Sequence, residues 1–317
     1  ERVYYSDIIL KIRVTVADGL SEETAIRVYS QSDLENVENN LYYRVMNDID
    51  LVNFNSIGEG TTFSGMIFGN TDDVTLSFAN NSESLVDRLS GTIKNLTMTG
   101  NVVGGGFVAN YIQEGGLVDN VTVDVNYENG NYLPSTLTQG VAINGNYYAG
   151  GIAGQNMGTI SNSNVFGLEI DLNQNGGYTN TVAGGIVGYN LGGRVENCGV
   201  EFYNFIRTDT IGEEDVEVTY NNKITANVVG GIIGQGGYSL NASTGAVNDI
   251  RIINSYVYAF NLIYQDGDSP ADISGNSYTS VLNGQGGAVG AFVGSLNVNG
   301  SAVGATYFRL VNSFAFL

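Results

Sequence analysis

One phrase recurs along this chain and restricts what it can fold into. Ala149-Gly150-Gly151-Ile152-Ala153-Gly154 is followed by Gly158-Thr159-Ile160-Ser161-Asn162-Ser163. Ala183-Gly184-Gly185-Ile186-Val187-Gly188 is followed by Gly193-Arg194-Val195-Glu196-Asn197-Cys198. Val229-Gly230-Gly231-Ile232-Ile233-Gly234 leads to Ile250-Arg251-Ile252-Ile253-Asn254-Ser255, and Val289-Gly290-Ala291-Phe292-Val293-Gly294 leads to Phe308-Arg309-Leu310-Val311-Asn312-Ser313. Weaker copies read as Gly105-Gly106-Phe107-Val108 with Leu117-Val118-Asp119-Asn120, and as Ser64-Gly65-Met66-Ile67-Phe68-Gly69 with Thr92-Ile93-Lys94-Asn95. Self-similarity of this kind marks an array whose units stack on one another.

Each unit reads as short strands broken by tight turns. The Gly-Gly-Ile-Val-Gly stretches are too short for helices, and Gly and Asn at their ends tolerate positive φ. Alternation after the turn puts Val121, Val123 and Val125 on one face, and likewise Tyr256 and Tyr258. Short helices are expected only at Ser21 to Tyr29 and at Ser32 to Asn39, the second with Ser32 as N-cap and Asp33 and Glu35 in its first turn. Strands too small to bury their own faces must stack. The expected fold is therefore all-β, a parallel β-helix (solenoid) of Gly-rich repeats with an N-terminal strand extension. Roughly eight to ten coils about 4.8 Å apart would make a rod of about 40–50 Å. Residues 1–25 are expected to be the extension and a contact between subunits. Residues 26–317 are expected to form the solenoid, with inserted loops near 201–226 and 264–285. The paired Gly then mark corners where backbones approach too closely for a Cβ. Asn162, Asn197, Asn254 and Asn312 mark a left-handed turn position with stacked side chains; a row of ligand-binding amides is the alternative.

The units resemble the GLUG repeat, a Gly-Gly-Leu-Val-Gly…Gly-x-Ile-x-Asn-Ser pattern. Ser32-Asp33-Leu34 and Tyr42-Tyr43-Arg44-Val45-Met46-Asn47-Asp48-Ile49-Asp50-Leu51 look like the segment that often precedes such repeats. The resemblance extends over roughly residues 26–317. It implies a bacterial surface adhesin, or the non-catalytic region of an immunoglobulin-A-cleaving metallopeptidase. That family's peptidase activity sits on a separate zinc domain, whose His ligands have no counterpart here.

Composition narrows the chemistry. The 317 residues include no His, one Cys and two Pro, with Lys+Arg 12 against Asp+Glu 32 and a net charge of −20. Zinc sites of His type, His-based triads and intrachain disulfides are excluded. A polyanion surface is disfavoured, so no nucleic-acid partner is expected. No apolar run reaches a membrane span. An enzyme would have to use carboxylates, as a polysaccharide lyase or hydrolase does. Asp48 and Asp50 form an i,i+2 pair for that role, or else cap backbone donors. Glu213, Glu214, Asp215 and Glu217, with Asp266 and Asp268, are read as solvated loop carboxylates and weak Ca²⁺ candidates, without EF-hand spacing. No other cofactor is expected. Cys198 aligns with Ser163, Ser255 and Ser313 and reads as a Ser-sized turn residue. The Tyr4/Tyr5, Tyr42/Tyr43 and Tyr147/Tyr148 pairs are ordinary strand residues or sugar-stacking surfaces. Sequons occur at Asn80, Asn95, Asn120, Asn241 and Asn299 and matter only in a glycosylating cell.

The two ends carry the assembly expectation. Leu10, Ile12, Val14 and Val16 form one apolar face of a strand outside the repeat, while the C-terminal stretch with Phe314 and Phe316 is apolar and stops without a cap. The first residue is Glu1 and not Met, which reads as a processed chain or a fragment. The expected function is an extracellular, cell-surface, non-enzymatic module: a fibre, stalk or adhesin shaft. Its partners are copies of itself head to tail or flanking repeats of a longer chain. A glycan-binding adhesion module and a carboxylate polysaccharide lyase or hydrolase are the alternatives.

Overall fold

The structure is a computed structural model that describes residues 16–71, 74–128, 131–172, 180–202, 204–211, 214–221, 223–237, 239–240, 247–259, 261–265, 281–297 and 308–316. It is an all-β protein built from parallel sheets, with a single short helix among the described residues.

The strands fall into four parallel rows. The first runs Ile26–Val28, Tyr42–Val45, Met66–Gly69, the start of Thr92–Val103, Leu117–Val123, Thr159–Ser161, Arg194–Glu196, Ile250–Ile253 and Phe308–Val311. That is nine strands deep, so its eight steps span about 38 Å. The second row begins at Ile49–Val52 and continues through Thr75–Ala79 to Asn164–Phe166, Gly199–Glu201, Tyr256–Tyr258 and Phe314–Phe316. The third stacks Val86–Leu89, Ala109–Ile112, Ala153–Asn156, Val187–Leu191, Ile233–Gly237 and Val293–Asn297. The fourth takes Ser135–Gln139, Leu168–Asp171, Lys223–Gly230 and Val281–Gly290, joined by Asn146–Gly150 and Thr181–Gly184. From residue 105 on, the chain visits the third, first, second and fourth rows in turn. One such circuit is called a rung below.

Register explains the periodicity. Ile160, Val195, Ile252 and Leu310 pair in succession, and the first three are fully buried. Alternate residues point outward because a strand has a period of two. Val257 is buried while Tyr258 beside it is exposed. Inward aliphatics of all rows form one continuous core.

Several sequence expectations are corrected. Ser21 to Tyr29 is not helical: Ile26–Val28 is the first strand of the first row. Pairing with Tyr42–Val45 decides this over local propensity. The one helix is Gln31–Glu35, capped by Ser30 rather than Ser32. The Ser30 hydroxyl accepts from the Asp33 N–H, and the Asp33 carboxylate accepts from the Ser30 N–H. The Ser64–Gly69 copy is not a Gly-Gly corner, because Met66–Gly69 sits in the first row against Tyr42–Val45 and Thr92–Lys94. The insertion at 201–226 is not a loop. It is an antiparallel hairpin of Asn204–Ile211 with Glu214–Asn221, followed by the fourth-row strand Lys223–Gly230. At the other insertion, Asn261–Gln265 pairs in parallel with Val281–Gln285; residues 266–280 lie outside the described set.

The three Gly of each corner act in three directions. A Cβ on Gly184, Gly230 or Gly290 would meet a carbonyl of its own rung, from Val187, Ile233 or Val293. A Cβ on Gly151, Gly185 or Gly231 would collide with the carbonyl oxygen of Gly185, Gly231 or Ala291 in the next rung. A Cβ on Gly234 or Gly294 would meet the previous rung, at Ala183 O or Val229 O. None of these corner glycines has a positive φ. Close approach, not left-handed backbone, imposes them.

Candidate functional site

The two ends of the stack are built differently. At the first rung Leu34 of the short helix is fully buried and Val28 is nearly so. At the last rung the residues equivalent to buried core positions are open. Leu310 is 43% exposed, whereas Ile160, Val195 and Ile252 at the same register are 0%. Phe314 and Phe316 are 53% and 60% exposed. A hollow of about 420 Å³ opens beside them, lined by Phe292, Leu296, Phe308 and Leu310 among others.

Three side-chain columns run along the stack to this face. The first is asparagine. Asn95, Asn120, Asn162, Asn197, Asn254 and Asn312 all have φ between 47° and 55°. Nδ2 of Asn120 donates to Oδ1 of Asn95, Asn197 to Asn162, and Asn254 to Asn197, each at 3.1 Å. Asn162 donates instead to Asp119, at 2.7 Å. The amides are engaged with one another, as the stacked-ladder reading expects. The second column is the residue that follows. Oγ of Ser163 accepts from Val121 N–H, Ser255 from Cys198 N–H, and Ser313 from Ser255 N–H, at 3.1–3.2 Å. Cys198 occupies this column as a fully enclosed thiol. Burial, the largest influence, pushes its pKa up to about 12, so a thiolate is suppressed.

The third column is aromatic. Tyr256 stacks on Phe314 with ring centroids 5.6 Å apart, and Tyr258 lies 6.2 Å from Phe316. The Tyr256 hydroxyl donates to Glu201 Oε1 at 2.5 Å. Burial, then that carboxylate, raises the Tyr256 pKa. Nearby, Arg194, Arg251 and Arg309 share one outward register. Arg194 pairs with Glu196; Asp249 holds Arg251 through Oδ1 at 2.9 Å and Arg309 through Oδ2 at 2.7 Å. Burial alone would raise the Asp249 pKa. The Arg251 hydrogen bond and the two guanidinium charges outweigh it and hold the carboxyl below its ordinary value.

Of the sequence-predicted assembly residues, Phe314 and Phe316 lie on this face. Val16 is 70% exposed near the opposite end, and Leu10, Ile12 and Val14 lie outside the described residues. Among the Ca²⁺ candidates, Glu213, Asp266 and Asp268 also lie outside them. Glu214 and Asp215 are strand residues opposite Ile211 and Thr210 in the hairpin, not loop carboxylates. Among the described residues no group of three or more His, Cys, Asp or Glu could hold a metal. Asp48 does cap a donor, accepting from Thr75 N–H at 2.8 Å, and Asp50 is exposed beside it. Sequons Asn80, Asn95 and Asn120 sit at positive-φ turns, and the Asn120 amide nitrogen is already donating. Asn241 and Asn299 lie outside the described residues. Tyr43 and Tyr148 are buried. The Tyr43 hydroxyl accepts from Glu38 N–H, while Tyr148 stacks on Tyr189 at 4.9 Å and donates to Gln235. Tyr4 and Tyr5 are outside the described set.

Sequence reasoning missed two features of the face. Asp249 has no motif around it, and its partner Arg309 is 60 residues away. Ala291, where four other units carry Gly (106, 151, 185 and 231), was visible in the repeat alignment, but the carbonyl of the following rung that each of those glycines approaches was not.

Comparison with known proteins agrees with the repeat. The family model described as "The GLUG motif" matches residues 145–170 and 179–204, so two of the repeat units are GLUG motifs. No curated protein matches the chain. A solved structure described as a "putative immunoglobulin A1 protease" from Bacteroides ovatus is similar at 17% identity, covering 93% of this chain and 85% of that one, with a TM-score of 0.49.

Proposed function

We propose that the chain winds as a parallel β-solenoid and serves as an extracellular, non-enzymatic structural module, the shaft of a surface fibre, stalk or adhesin. The observation that carries this reading is the unbroken nine-strand first row from Ile26 to Val311. Such a stack converts sequence length into physical length. The functional groups along it are used to join neighbouring rungs. Asn amides bond Asn amides, Ser hydroxyls accept backbone N–H groups, and Tyr rings pack on aromatic rings. No cofactor is assigned, and the GLUG match at 145–204 supports a surface role.

Small-angle scattering and negative-stain images of the purified chain test the shape. The expected result is an elongated particle whose long axis follows the roughly 38 Å row. A compact, isometric particle would overturn the solenoid. The non-enzymatic part is tested by incubation with acidic polysaccharides. Turnover that disappears on substituting Asp48, Asp50 or another single carboxylate would replace the structural reading with the lyase or hydrolase.

A further inference from the structure

We propose that Asn156 and Asn190, turned into the core, form a register lock that selects unit 179–204 as the neighbour stacked on unit 145–170. The inference stands on the parallel rows and not on the shaft reading above.

A chain of similar units faces a choice of neighbours. The corner Gly, the Ser column and the outward Asn ladder recur from rung to rung, so a unit stacked out of order would meet the same partners. The ladder amides of Asn162, Asn197 and Asn254 are also exposed, and water can satisfy any of them that is mispaired. Selection needs a position that differs between rungs and is closed to water. The third row supplies one. Along a single inward register it carries Leu89, Ile112, Asn156, Asn190, Gly236 and Leu296 in succession. Two neighbouring rungs therefore present amides where the others present hydrocarbon or no side chain. Both amides are 0% exposed.

The pair is complete in this order alone. Gly158 N–H donates to Asn156 Oδ1, Asn156 Nδ2 donates to Asn190 Oδ1, and Asn190 Nδ2 donates to Gly193 O, each at 2.9 Å. This chain of bonds ends on backbone at both sides, and each polar atom of the two carboxamides has a partner. The surroundings are shaped to it. A Cβ on Gly193 would overlap Asn156 Nδ2 and Asn190 Oδ1, so the turn of the second rung is kept bare for the amide of the first. With unit 179–204 skipped, Asn156 would face Gly236; with unit 145–170 skipped, Asn190 would face Ile112. Neither offers a side-chain donor or acceptor. A buried amide without its partner disfavours that stacking by about tenfold or more. Buried polar groups set register in the same way in coiled coils, at a cost in stability.

The test compares the native pair with the Asn156→Leu, Asn190→Leu double variant, both in the full chain carrying Cys198→Ser. Cysteines are placed on the outward face of the first row, as Ser161→Cys with Glu196→Cys or as Ser161→Cys with Ile253→Cys. Positions 161 and 196 are in-register neighbours about 4.8 Å apart, within disulfide range, whereas 161 and 253 are two steps apart, about 9.6 Å, and beyond it. Each chain is unfolded in urea, refolded and mildly oxidised, and intramolecular disulfides are read by peptide mass spectrometry. The native pair should give the 161–196 cross-link and exclude 161–253. The double leucine chain, with no amide to satisfy, should show roughly tenfold more of the 161–253 cross-link. A double alanine chain carries the same comparison if leucine overfills the site. Double variants that refold with no more 161–253 cross-link than the native pair overturn the proposal, as does a 161–253 cross-link that forms as readily with both asparagines in place.

Discussion

Replacing Gly185 by Ala tests the corner argument directly. An added Cβ would lie closer than any ordinary contact to the carbonyl oxygen of Gly231, and at 2.8 and 2.9 Å from the two Val200 methyl carbons. Relief requires the rungs to part by about 1 Å, the gap between that overlap and van der Waals distance. Two of the hydrogen bonds that cross the interface at this corner are Gly185 N–H to Gly230 O at 3.2 Å and Ile186 N–H to Ile232 O at 3.0 Å. Weakening both costs on the order of 1 kcal/mol each, and overpacking adds roughly 1–2 kcal/mol. A destabilisation of about 3 kcal/mol is expected, read as the shift of the urea midpoint by far-UV circular dichroism. The control is Ala291→Gly, at the same unit position in the last rung. It relieves no clash and should lose only about 0.5–1 kcal/mol of backbone entropy. If Gly185→Ala shifts stability by no more than Ala291→Gly does, the assignment of the second Gly to the following rung is refuted.

Other expectations follow from the columns. Asn197→Ala removes two ladder bonds and places a Cβ-bearing non-Asn residue at φ 54°, for about 2 kcal/mol; Asn197→Gly, free at that φ, should cost about half as much in the same urea titration. Cys198 should be inert to a thiol reagent until the chain unfolds, and Cys198→Ser should change stability by less than about 1 kcal/mol because Ser fills the column at 163, 255 and 313. Asp249 has a lowered folded pKa, so its contribution is present above the unfolded value of about 3.9 and is lost as pH falls through the folded value. Asp249→Asn should therefore loosen the last rung by on the order of 2 kcal/mol at neutral pH and flatten the acid limb of a stability–pH profile; an unchanged acid limb would count against this assignment.

The repeat unit, its strand character and its stacking partners were legible because each depends on residues close in sequence. Gly-Gly at a corner, Asn at a left-handed turn and alternate aliphatics are local requirements, and a periodic chain repeats them at every rung. The short helix was legible in place but not in extent: its cap is two residues earlier than Ser32, because the Asp33 bonds go to Ser30, and it stops at Glu35 rather than Asn39. The Ser64–Gly69 copy was misread for a related reason: Gly65 and Gly69 are there because they meet carbonyls of Leu41 and Asn95, a reason that a pattern of letters cannot separate from a corner. The acidic run near 214 was read as a loop because its four carboxylates drew the reading, although Val216, Val218 and Tyr220 alternate with polar residues just after it, as a strand requires.

The sequence by itself determined that this chain stacks short strands and lacks His chemistry. Tertiary structure alone decided that the three corner glycines answer to three different rungs and that Asp249 joins Arg251 to Arg309. The reason is physical. A repeat specifies which residues recur at a corner, whereas the rung each of them meets, and a long-range ion pair, are set by folding that brings distant residues together.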